Sequence, residues 1–97
     1  MKILLVEDDS DAAAYLTRAL EEAGHSADHA ADGDAGYEMA SANTYDVMIV
    51  DRMLPKRDGL TLINNMRDEG QQTPILVLSA LNQVDDRVKG LRAGGDD

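Results

Sequence analysis

Three short, unbroken apolar runs constrain this chain more than any other feature: Ile3-Leu4-Leu5-Val6, Val47-Met48-Ile49-Val50 and Ile75-Leu76-Val77-Leu78. Runs of this length without alternation read as strands buried on both faces, the pattern of parallel sheets. Parallel neighbours cannot be joined by a hairpin and need a crossover, usually a helix. The intervening segments supply it. Ala12, Leu16, Ala19, Leu20 and Ala23 recur at helical spacing, with Asp9 or Ser10 able to cap the start and Gly24 at the stop position. Leu60, Leu62, Ile63 and Met66 give a further helix ending near Gly70. Val84, Val88 and Leu91 mark another, closed by Gly94-Gly95.

The segment between the first two runs is less explicit. Asp32-Gly33 reads as a turn, followed by a helix carried by Tyr37, Met39 and Ala40 and ended at Asn43. Gly36 inside that helix costs about 1 kcal/mol against Ala, so a close packing contact is expected there. His25 to Ala30 is expected as a strand mainly from its place between two helices, since its only apolar members are Ala27 and Ala30. The order is βα repeated four times. The fold class is therefore α/β, a doubly wound parallel sheet.

In such sheets ligands bind beyond the C-terminal ends of the strands. Glu7 and Asp8 follow the first strand, Asp51 ends the third and Ser79 ends the fourth. Carboxylates gathered at one place resist ionisation unless a cation sits among them. A hard divalent ion with oxygen ligands answers that need, and Mg²⁺ takes one or two carboxylates plus waters and a phosphate. The arrangement suits phosphoryl transfer, with Asp51 as in-line nucleophile and the Ser79 hydroxyl bonding a phosphoryl oxygen.

Each part has a plainer reading. Acidic residues after a strand are commonly helix caps, and Asp9 is expected to be one. An Asp after an apolar run is often a turn residue, and Ser79 alone says little. Specificity comes from their falling together at one end of the same sheet. His25 and His29 lack a third ligand at metal spacing and read as surface or strand positions. Tyr15, Tyr37 and Tyr45 are too scattered for a base-stacking platform. Met39, Met48 and Met66 read as core.

Composition narrows the classes. Ninety-seven residues make one domain. There is no Cys, so no disulfide or thiolate metal site forms, which fits a reducing cytoplasm. Lys and Arg total 9 against 19 Asp and Glu, a net charge of −10 that repels nucleic acid and anionic membrane. The start, MKILLVEDD, is not a signal peptide, and no stretch approaches the ~20 apolar residues of a membrane span. Cytoplasmic location is expected.

The stretches ILLVEDD, YDVMIVDRMLPKRDGL, TPILVLSA and VKGLRAGGDD resemble the receiver domains of two-component response regulators, from Met1 to the last residue. The second is the most specific, with Asp followed by Pro four residues on and Gly eight residues on. The wording around LPKRDG and GLRAGGDD looks most like receivers of OmpR/PhoB-type regulators, which precede a winged-helix DNA-binding domain. The resemblance implies a CheY-like strand order 2-1-3-4-5. It implies that Asp51 is the phosphorylated aspartate and Asp8 the direct Mg²⁺ ligand, with Glu7 acting mainly through water. The Met53 backbone carbonyl would complete the protein ligands. Ser79 would be the switch hydroxyl, and Ala80 the small residue that leaves the phosphoryl group room. It also implies a sensor histidine kinase as partner, and no enzyme activity beyond self-catalysed phosphotransfer and slow autodephosphorylation.

The family pattern continues past GGDD into a fifth strand ending in a functional Lys, a switch aromatic and a last helix. The expectation for residues 1–97 is thus a receiver lacking its fifth βα unit, with DNA binding only through a segment outside these residues. Lys56 and Arg57 lie near the nucleophile in sequence but read as solvated loop bases rather than replacements for that Lys. Without a fifth strand, Ile75–Leu78 would be a wholly apolar sheet edge, so self-association is expected. An aspartate-nucleophile phosphohydrolase is disfavoured, because Met53 stands where the second Asp of such enzymes is needed. A phosphorylation-independent interaction module is the remaining alternative. It is opposed by the intact Glu7, Asp8, Asp51 and Ser79 and favoured by the expected lack of the fifth βα unit. A dinucleotide or flavin site is disfavoured, since no Gly-rich loop follows the first strand.

Overall fold

The computed structural model describes residues 1–78, and the expected helix through Val84, Val88 and Leu91, with Ser79 and Ala80, lies outside them. The described elements are β1 (Lys2–Val6), α1 (Ser10–Glu22), β2 (Ser26–Ala30), α2 (Gly33–Ala42), β3 (Val47–Asp51), α3 (Gly59–Asp68) and β4 (Ile75–Leu78). The strands form one parallel sheet in the order β2-β1-β3-β4. Chain order reverses at β1, which sets β1 and β3 side by side at the centre with Val6 opposite Val50.

Aspartates start all three of the described helices. Asp9 accepts hydrogen bonds from the Asp11 and Ala12 amides, Asp32 from Ala35 and Asp58 from Thr61. A carboxylate at an N-cap satisfies amides that have no partner within the helix, and it sits at the positive end of the dipole. Asp9 is thus committed to α1, as expected, while Gly33 is the first residue of α2 rather than part of a turn. Asn43 ends α2, as expected.

The register divides the strand residues between two faces. Leu4, Val6, Met48, Val50, Ile75 and Val77 share one face with the buried side chains of α2 and α3: Ala40, Leu62, Ile63 and Met66. Gly36 allows α2 to lie close here, since a Cβ on it would stand 2.9 Å from Val6 Cγ2. The close contact expected at this glycine is therefore present. Tyr45 joins this core and is only 5 % exposed, a position its sequence context does not mark.

Ile3, Leu5, Val47, Ile49 and Leu76 turn to the other face. Burial on both faces holds for β1 but not for the later strands: Val47 and Ile49 are half-buried and Leu76 is 39 % exposed. The physical reason is position. Among the described residues α1 makes its main contact with β2, which β1 adjoins directly, whereas β3 and β4 lie progressively farther from it. An apolar run records that a segment is a strand without recording how well each face is covered.

Candidate functional site

β1 and β3 end side by side, so the residues after Val6 meet the residues after Val50. Glu7 remains tied to the sheet, its amide donating to the Ala30 carbonyl at 3.0 Å. Glu7 as a whole is 7 % exposed, and its Oε1 accepts the Asp9 amide at 3.0 Å. Asp51 is the last residue of β3 and is 9 % exposed. Its Oδ1 accepts the Met53 amide at 3.1 Å. Asp8 is exposed between them. One carboxylate oxygen from each of Glu7, Asp8 and Asp51 lies within 4.8 Å of the others.

This crowding has an electrostatic cost. Burial pushes the Glu7 carboxyl above its ordinary value, the nearby Asp51 and Asp8 charges push it further, and the Asp9 amide hydrogen bond opposes them. Desolvation and like charge both disfavour a carboxylate. A hard cation among the three groups would relieve both, and an all-oxygen donor set fits Mg²⁺. The residues present therefore fit such an ion.

The loop after Asp51 is held against α2 and α3. The Arg52 amide donates to the Leu78 carbonyl at 2.8 Å, and Gly33 and Arg57 both donate to the Pro55 carbonyl. Lys56 adopts a left-handed φ of 70° and reaches Asp32 at 3.6 Å. Arg57 bonds Asp34 at 3.1 Å and Asn65 at 3.3 Å, and its guanidinium lies 4.2 Å from the Tyr37 ring centroid. Tyr37 in turn donates to Glu69. Among the described residues the ion pairs of these two bases are with Asp32 and Asp34. The expectation that both are solvated is corrected for Arg57, which is partly buried and clamps the loop between two helices. Asp34 and Asn65, its partners, lie 23 and 8 residues away, so nothing local in the chain marks the clamp.

Among the expected site residues, Glu7, Asp8 and Asp51 are brought together. Met53 lies in the adjoining loop with its amide on Asp51 and its side chain 64 % exposed. Leu78 pairs with Asp51 across β3 and β4, while Ser79, next in sequence, lies outside the described residues. His29 is a strand residue, as expected, but not an idle one. Its Nε2 bonds the Glu7 carbonyl at 2.7 Å.

A family model, the response regulator receiver domain, matches residues 3–97. The chain belongs to the response regulator receiver family. This receiver is 46 % identical over 97 residues to the probable transcriptional regulatory protein SilR of Salmonella typhimurium. It is 43 % identical over 97 residues to the transcriptional regulatory protein CusR of Escherichia coli K12. Both alignments cover all of this chain but only 42 % and 43 % of those proteins, so the receiver spans about two-fifths of its curated relatives. In fold it is similar to the receiver domain of the Francisella response regulator 1452, with a TM-score of 0.90 and 34 % identity over 99 % of this chain and 79 % of that one. It is also similar to the BeF3-activated receiver domain of Klebsiella pneumoniae RstA, with a TM-score of 0.86 and 29 % identity over 100 % of this chain and 82 % of that one. The strand order 2-1-3-4 is the expected one for the strands described. No helix among the described residues is long and apolar enough to cross a membrane.

Proposed function

We propose that this receiver accepts a phosphoryl group on Asp51 from the phosphohistidine of a sensor kinase and relays that event to transcription. The observation that carries the proposal is the convergence of the Glu7, Asp8 and Asp51 carboxylates at the ends of two adjacent central strands. Asp51 is the nucleophile because it is fixed by both β3 and the Met53 amide. An Asp51 oxygen bonds to phosphorus as the P–N bond breaks, and the histidine nitrogen keeps the electron pair. The product is an acyl phosphate. Asp8 and Asp51, the Met53 carbonyl and, through water, Glu7 would hold Mg²⁺, which neutralises charge on the transferring oxygens when bound. Ser79 would donate to a phosphoryl oxygen, as the family resemblance implies.

The relatives are named transcriptional regulators. Since a net charge of −10 opposes DNA binding by these residues, the output would act through a separate DNA-binding segment. The domain would work in the cytoplasm. Residues 1–97 produced alone would self-associate through the apolar β4 edge, which light scattering over a dilution series checks.

Thermal melts test the site directly. Mg²⁺ should raise the unfolding midpoint of the wild type, because an ion bound only by the native state stabilises it. The rise should shrink in Asp8→Asn. No rise in the wild type, or an equal rise in the variant, counts against the site.

A further inference from the structure

We infer that His29 is a positioning residue for the acidic site, an inference that rests on the Mg²⁺ site proposed above. Two of the three carboxyl groups are held directly, Glu7 by the Asp9 amide and Asp51 by the Met53 amide. Among the described residues no hydrogen bond holds the Asp8 carboxylate, so its place depends on the backbone that carries it. That backbone is anchored on both sides of Asp8. After it, the Asp9 amide is bonded to Glu7 Oε1. Before it, the Glu7 carbonyl is bonded to His29 Nε2 at 2.7 Å.

The second anchor is a side chain because the strand pairing stops there. Glu7 still donates to the Ala30 carbonyl, but β2 ends at Ala30 and the chain turns into the cap of α2 at Asp32. An imidazole on the preceding β2 residue supplies the donor instead. For a bond to a carbonyl, Nε2 must carry a hydrogen. Rotation of the peptide between Glu7 and Asp8 would swing the Asp8 side chain, and the His29 bond restrains that rotation. Groups that orient a metal's ligands are worth about 10–100-fold in affinity when they touch the ligand side chain. His29 acts one step farther back, through the peptide, and its side chain is exposed, so a smaller effect is expected.

The test is calorimetric measurement of Mg²⁺ binding to the whole 97-residue chain in the wild type, His29→Leu and His29→Gln. His29→Leu removes the donor and should weaken Mg²⁺ binding roughly three- to tenfold, with little change in the metal-free unfolding midpoint. His29→Gln keeps an N–H donor and should restore most of the affinity. Amide NMR spectra of the metal-free proteins should show the Asp8 and Asp9 signals moved in His29→Leu and returned in His29→Gln. Wild-type affinity in His29→Leu overturns the inference. So does a loss of affinity that only parallels a loss of folded protein, which would mark a structural role. A wild type that binds no Mg²⁺ overturns the site itself and His29's part in it, and is told apart by that measurement alone.

Discussion

A Cβ on Gly59 would collide with the Asp51 carbonyl oxygen and come within 2.9 Å of Arg52 Cα, so the first residue of α3 packs directly on the backbone that carries the candidate nucleophile. Backbone cannot move aside as a side-chain tip can. Gly59→Ala should therefore cost about 1–3 kcal/mol, the usual range for overpacking. Gly36→Ala meets only side-chain methyl groups, those of Val6 at 2.9 and 3.0 Å and one of Leu62 at 3.4 Å, and gains helix propensity, so its loss should be smaller. Urea unfolding of the two variants beside the wild type checks the order, and equal losses would contradict it.

The Arg57 clamp predicts a graded series. Arg57→Ala loses bonds to Asp34 and Asn65 together with stacking on Tyr37, and should lower the unfolding midpoint by roughly 4–8 °C. Arg57→Lys should recover little, because a point ammonium cannot reproduce a planar fork over a ring. Lys56→Ala should leave the midpoint within error, as its contact with Asp32 is long and its side chain exposed. Melting curves with equal effects for Arg57→Ala and Lys56→Ala would show that the loop is not held this way.

Tyr45 predicts an alkaline signature. Burial pushes its hydroxyl up to about 12, and donation to Asp28 at 2.8 Å adds to the push. Between the unfolded value of about 10 and the folded value, the native state keeps a proton that the unfolded chain has lost. The contribution is thus complete below pH ~10 and is lost as pH rises toward 12. Tyr45→Phe should flatten the fall in stability over that window and remove the last tyrosine ionisation seen in ultraviolet absorbance. An unchanged alkaline slope would assign the effect elsewhere.

Local pattern reveals the frame of this domain and half of its site. Continuous runs mark β1, β3 and β4, and the ends of the two central ones place Glu7, Asp8 and Asp51 together at the C-terminal end of the sheet. β2 is legible only from its neighbours. It is an edge strand of sequence SADHA, with little apolar content to announce it. The partial exposure of Ile49 and Leu76 is hidden because a run of apolar residues looks the same whether one face or two are covered. The bonds of His29 to Glu7 and of Arg57 to Asp34 span 22 and 23 residues, and polar pairing at that distance leaves no periodic trace. The burial of Tyr45 is equally silent, because a lone aromatic before a strand carries no period of its own.

Site-mapped labelling by a small phosphoryl donor tests the central claim most directly. After exposure to acetyl phosphate and Mg²⁺, peptide mass spectrometry should place one phosphoryl group on Asp51 and none on Glu7 or Asp8. The label should be lost without Mg²⁺ and absent from Asp51→Asn, whose amide is not a nucleophile at neutral pH. A label on another residue, or one that persists in Asp51→Asn, would contradict the assignment of Asp51 as the phosphoacceptor.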